Sequence, residues 1–170
     1  SKTTVQYVCE YLNNNPQIRE VILSGGDPLT CTPPRLEYAI NQLASVPSVK
    51  ELRLHTRAPV YAPNCMSDEF IDIIDKYNIH LVIHVVHPYE LDGEVAEPLL
   101  AMRNRGIMMY NQFPLIKRIN DHPAVIMDLG YRCIELGVHM LSMFIADPIK
   151  YGTIYRVRLQ RAYDIENEIF

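Results

Sequence analysis

Apolar positions along the chain switch repeatedly between a helical and a strand-like period. Val5, Val8, Cys9 and Leu12 recur at helical spacing until Asn13-Asn14-Asn15-Pro16 stops them, so the chain opens with a helix. Glu20-Val21-Ile22-Leu23-Ser24 is then a short β-favouring run closed by Gly25-Gly26-Asp27-Pro28, which predicts a strand ending in a tight turn. Leu36, Ala39, Ile40 and Leu43 mark a second helix, with Pro33 and Pro34 suited to its first turn, and a second strand follows at Glu51 to His55. Ser67-Asp68-Glu69 reads as an N-cap with acidic first-turn residues ahead of the apolar face Phe70, Ile73, Ile74 and Tyr77, and Asn78 ends that helix. Further strands are predicted at Ile79 to Val85, Ile107 to Asn111 and Val138 to Ile145. Helical patterns at Glu94 to Asn104 and Pro123 to Leu136 separate them, with Gly106 and Gly137 as C-terminal stops. Leu159 to Phe170 is again helix-like.

Strand starts near 20, 51, 79, 107 and 138 recur about every 30 residues, the length of one βα unit, and near-continuous apolar strands belong to a parallel sheet covered by helices. The fold class is therefore α/β, with five parallel strands: a barrel-type sheet with outer helices, or a doubly wound sheet with helices on both faces. At 170 residues the chain has room for one domain, residues 1–170, and with 48% apolar residues it can bury a sizeable core. A net charge of -4 with basic and acidic residues intermixed argues against a nucleic-acid face or a polybasic membrane anchor. No apolar run approaches the roughly 18 residues of a membrane span, and Ser1-Lys2-Thr3-Thr4 does not read as a signal peptide, so cytoplasmic residence is the expectation. Cys9, Cys31, Cys65 and Cys133 are too scattered to form a zinc or iron-sulfur motif among themselves.

Parallel α/β folds place their chemistry at the carboxyl ends of the strands, and here those ends carry the polar residues that the strand bodies lack. They are Ser24-Gly25-Gly26-Asp27, His55-Thr56-Arg57, His84, Asn111-Gln112 and, after the last strand, Asp147. Each could be a turn or cap former; five strands aiming such groups at one mouth is the stronger signal. Gly25-Gly26 lets backbone amides approach a carboxylate or phosphate, and Asp27 could accept from an amine. Gln112 could bond ribose hydroxyls or cap a loop. Asp147, just beyond the apolar Met140 to Ala146, is expected to be partly desolvated and to favour a cation, or else to pair with Lys150 or Arg156.

Val21-Ile22-Leu23-Ser24-Gly25-Gly26-Asp27-Pro28-Leu29, Thr56-Arg57-Ala58-Pro59-Val60, His84 to Pro88, and Asn111-Gln112 followed by Asn120-Asp121 together resemble the lysine 2,3-aminomutase family of radical S-adenosylmethionine enzymes, nearly end to end. The resemblance implies a partial radical S-adenosylmethionine (βα)6-type barrel. It also implies a [4Fe-4S] cluster, S-adenosylmethionine and pyridoxal phosphate as cofactors, and migration of an amino group between carbons 2 and 3 of a small amino-acid substrate. On that likeness Ser24, Gly25, Gly26 and Asp27 lie on the motif for the methionyl amino group of S-adenosylmethionine. His84 and Gln112 match further contacts to it, His55 and Arg57 join them at the mouth, and Asp147 matches the carboxylate that grips the lysine side-chain ammonium. The cluster's C-x-x-x-C-x-x-C motif and the pyridoxal phosphate lysine match nothing here, so the chain is expected to be an incomplete core of an aminomutase, inactive alone, with no metal ligand or catalytic residue of its own. Homo-oligomerisation stays open. The rival readings are a non-catalytic partner or regulatory domain derived from the barrel, and a lyase or hydrolase using the same strand ends on a phosphate or metal.

Overall fold

The computed structural model describes residues 3–169. Five strands, β1 (Glu20–Leu23), β2 (Glu51–Thr56), β3 (His80–Ile83), β4 (Met109–Leu115) and β5 (Val138–Ile145), form one sheet in the order β1-β2-β3-β4-β5, every neighbouring pair parallel. Helices α1 (Thr4–Asn14), α2 (Pro33–Ala44), α3 (Ala58–Tyr61), α4 (Asp68–Lys76), α5 (Ala96–Asn104), α6 (Pro123–Glu135) and α7 (Leu159–Ile169) alternate with them. Parallel strands in sequence order are joined by right-handed crossovers throughout, which places all the connecting helices on one face. A doubly wound sheet needs a reversal of strand order, and this sheet has none, so the barrel-type reading holds and the flavodoxin-like alternative does not.

Side-chain parity follows. Leu52, Leu54, Leu81, Ile83, Met109, Phe113 and Val138 enter one buried core with Leu36, Ile40, Phe70, Ile74, Leu99 and Leu129 of the helices. The register then turns Arg53, His55, His80, Tyr110 and Gln112 to the opposite, helix-free face. Val82, though fully buried, stands outside that core because it faces the same polar side.

Most local signals act as the sequence implies. Pro33 and Pro34 open α2, the Ser67 hydroxyl accepts from Phe70 N, and Asn78 leaves α4 at φ 49°. Three readings change. The helix expected from Glu94 begins as a 3-10 turn, Gly93–Val95, before α5; the short helix α3 carries no apolar period; and β4 runs on to Leu115 instead of ending at Asn111. Pairing with β5 carries β4 past a register shift between Asn111 and Gln112, so both residues lie inside the strand. The Phe170 end of the expected last helix lies outside the described residues. Beyond β5 the outer layer leaves an apolar groove of about 770 Å³, lined by Tyr131, Ile134, Met140, Met143 and Tyr163, on the helix side and away from the strand-end mouth.

Gly106 and Gly137 both follow their helices at positive φ, 76° and 77°, but a Cβ on Gly137 would sit 2.6 Å from Arg103 Cγ while one on Gly106 would meet nothing within 4 Å. Gly106→Ala should therefore cost about 1 kcal/mol, the left-handed backbone alone, and Gly137→Ala roughly 2 to 3 kcal/mol, with urea denaturation as the measurement. Equal losses would mean that Arg103 moves aside freely.

Candidate functional site

The polar strand ends divide into groups spent on the protein itself and groups left free. Asp27 is spent. Its Oδ1 accepts from Thr56 Oγ1 at 2.6 Å and Leu29 N at 3.1 Å, and its Oδ2 from Arg57 N at 2.7 Å and Ala58 N at 3.0 Å. That carboxylate caps the 3-10 turn Pro28–Thr30 and ties the β1 exit to the β2 exit, which leaves it little capacity for a ligand amine. Arg57 is engaged in part, donating from Nη1 to His84 O at 3.1 Å and pairing through Nη2 with Glu90 Oε1 at 2.7 Å. Asn111 points to the helix side, fully buried, accepting from Val85 N and donating to Val85 O.

The free groups converge from β1, β2, β3 and β4. Gly25 and Gly26 hold φ of 84° and 49°, no backbone hydrogen bond among the described residues uses their amides, and their Cβ positions open onto empty space. Consecutive glycines of this kind leave bare backbone donors for an anionic or polar group. The rings of His55 and His84 meet edge to face at 6.2 Å between centroids, and the Nε2 of each is buried without a partner. An orphaned buried nitrogen is costly unless something occupies it. The side chains of Ser24 and Gln112 likewise have no hydrogen bond among the described residues, and Gln112 sits half-buried beside Ser142 in the β4–β5 register.

Both imidazoles are pushed toward neutrality. Burial lowers the pKa of His55 most, followed by the Arg53 cation and the charge His84 would carry, against a smaller opposing pull from Glu20. Burial likewise leads for His84, then the Arg57 guanidinium, with Asp27 opposing. Below this pair the same face carries the ion pairs Glu20–Arg53, at 2.6 Å, and Glu51–His80, at 2.9 Å.

Asp147 departs from expectation. It is exposed rather than partly desolvated, and it forms no ion pair with Lys150 or Arg156 among the described residues. Cys133 is structural: burial pushes its thiol up to about 12. No group of three or more His, Cys, Asp or Glu that could hold a metal ion occurs among the described residues, so a [4Fe-4S] cluster does not fit on them, whereas the open glycine pair and the two orphaned nitrogens do fit a nucleoside or amino-acid group. Glu90, which the sequence pattern does not single out, pairs with Arg57, 33 residues away.

Comparison with known proteins agrees with the motifs. The chain is 30% identical over 166 residues to the L-lysine 2,3-aminomutase of Methanococcus maripaludis, covering 97% of this chain and 38% of that protein. It is 28% identical over 171 residues to the L-lysine 2,3-aminomutase of Buchnera aphidicola, covering 99% and 50% respectively. The chain belongs to the lysine 2,3-aminomutase family. It is also 32% identical over 151 residues to the glutamate 2,3-aminomutase of Clostridioides difficile, covering 88% of this chain and 36% of that one. The chain thus spans half or less of the length of these relatives. No protein-family model matches it. Among the described residues no helix is long and apolar enough to cross a membrane.

Two outcomes follow for the mouth. Asp27→Asn would set an amide NH₂ against donors that now share a carboxylate, and should cost about 1 to 3 kcal/mol in chemical denaturation. The lowered histidine pKa values mean that the unfolded chain takes up protons first, so stability is complete above about pH 6.5 and is lost as pH falls through the folded-state values. Urea midpoints measured from pH 7.5 down to 5 should fall, and His55→Gln with His84→Gln should flatten the decline.

Proposed function

We propose that this chain forms the cofactor-binding mouth of a radical S-adenosylmethionine aminomutase that moves an amino group between carbons 2 and 3 of lysine. The observation that carries this reading is the set of unspent polar groups just past β1 and β3 and within β4, all on the sequence segments that resemble the family: the Gly25-Gly26 amides, Ser24, His84 and Gln112, with His55 beside them. In this reading the bare glycine amides and Ser24 take the methionyl end of S-adenosylmethionine, and His84, His55 and Gln112 offer ring and amide groups to the rest of the molecule. Asp27 holds the glycine turn in place through its bonds to the next loop. The cofactors, when bound, supply the radical chemistry; the chain's own residues bind and orient. Neither a cluster nor a Schiff-base lysine is placed on these residues, so both would come from further polypeptide, and the 170-residue chain by itself is assigned no turnover.

Lysine and glutamate aminomutases resemble the chain about equally, so the choice of substrate rests on charge. Asp147, exposed after β5 and without an ion-pair partner among the described residues, is an acid that suits an ammonium better than a second carboxylate. At an exposed carboxylate such a pair contributes at most about 1 kcal/mol, or roughly fivefold in affinity. In the complete protein, reconstituted anaerobically with iron, sulfide and pyridoxal phosphate and supplied with S-adenosylmethionine and a strong one-electron reductant, lysine should yield β-lysine while S-adenosylmethionine is reductively cleaved. Asp147→Asn should raise the KM for lysine by up to about fivefold and leave that cleavage intact. Turnover of glutamate in preference to lysine would overturn the substrate assignment, and failure to cleave S-adenosylmethionine would overturn the reaction class.

A further inference from the structure

We propose that Arg57 and Glu90 are positioning residues: they clasp the segment at residues 84–86 so that His84 presents its free ring nitrogen to the mouth, and they do not themselves touch a ligand. The ligand part of this inference rests on the function proposed above; the clasp rests on the hydrogen bonds alone.

β3 ends at Ile83, and the next three residues leave the regular ladder, yet every backbone polar group from His84 to Val86 has a partner. His84 N donates to Thr56 O at 3.1 Å, and His84 O accepts from Arg57 Nη1. Val85 N and O both bond the Asn111 amide, at 2.9 and 3.0 Å. Val86 N donates to Glu90 Oε2 at 2.8 Å, and Val86 O accepts from Asn120 Nδ2 at 2.9 Å. The Arg57–Glu90 ion pair closes this ring, because one carboxylate oxygen holds the guanidinium and the other holds Val86 N.

Side chains from the β2 exit, from β4, from the loop after β4 and from the turn after residue 86 thus fix five consecutive backbone groups, and the Thr56 carbonyl of β2 fixes the sixth, His84 N. The one polar atom of this segment left buried without a partner is His84 Nε2. A backbone so fully determined, around a ring nitrogen so fully unspent, is the arrangement of a pre-organised ligand contact. The charged and titratable groups around that ring are Arg57, Asp27 and His55. Arg57 therefore serves His84 twice, holding its carbonyl and opposing its protonation.

Two measurements on the protein test this: nitrogen-detected NMR titration of the His84 imidazole without ligand, and the Kd for S-adenosylmethionine. Arg57→Met should raise the His84 pKa, since a repelling cation is lost, and should weaken binding roughly tenfold, about 1.4 kcal/mol. Glu90→Gln should weaken binding similarly although the guanidinium remains, and should not raise the His84 pKa, since the cation then loses its counter-charge. The double variant should bind no worse than the weaker single variant, because one clasp is broken in each. Arg57→Lys, which keeps the charge but not the fork, should hold the pKa low while losing affinity.

Wild-type binding by Glu90→Gln alongside lost binding in Arg57→Met would show Arg57 contacting the ligand directly and overturn the proposal. An unmoved His84 titration in Arg57→Met would overturn it too. If Arg57→Met does not fold, Glu90→Gln and Arg57→Lys decide it. If the wild type binds no S-adenosylmethionine while the titrations behave as described, the ligand assignment fails and the clasp stands.

Discussion

One topological constraint organises the molecule: five parallel strands follow one another in sequence order without a reversal. Each crossover then turns the same way, and the helices gather on one face. That face takes the apolar side chains of alternate strand positions, Leu52, Leu54, Leu81, Ile83 and Met109 among them, and packs them against the helices. Core formation makes no demand on the other face. Arg53, His55, His80, Tyr110 and Gln112 can stand there without removing a single core contact, and this freedom lets a polar mouth share a sheet with an apolar core.

At the carboxyl ends a second requirement takes over. Strands that leave the ladder lose their backbone partners, and buried backbone groups must find others. Asp27, Asn111, Asn120 and Glu90 supply them, each through a side chain bonding backbone of a neighbouring loop or turn. These bonds join the β1 exit to the β2 exit, and the β3 exit to the loops around β4. These side chains thereby fix the loops that carry the glycine turn and His84. Exposure adds a contrast after β5, where Asp147 stands exposed with no ion pair among the described residues.

The order of helices and strands, their roughly 30-residue period and the helix ends at Ser67, Asn78, Gly106 and Gly137 were legible in the sequence because each depends on residues within a turn or two of one another. The gathering of polar residues at strand ends was legible for the same reason, as was the set of motifs that marks the family. What the sequence left open was the division of labour among those residues. Asp27 and Arg57 read as ligand groups in sequence, and the structure adds that both tie the fold together, with Thr56 29 residues from the first and Glu90 33 residues from the second. Asn111 and Gln112, adjacent in sequence, face opposite sides of β4, one locked into Val85 and the other free. Only the tertiary structure could decide this, because strand register and loop geometry choose hydrogen-bond partners across such separations, and no local propensity encodes them.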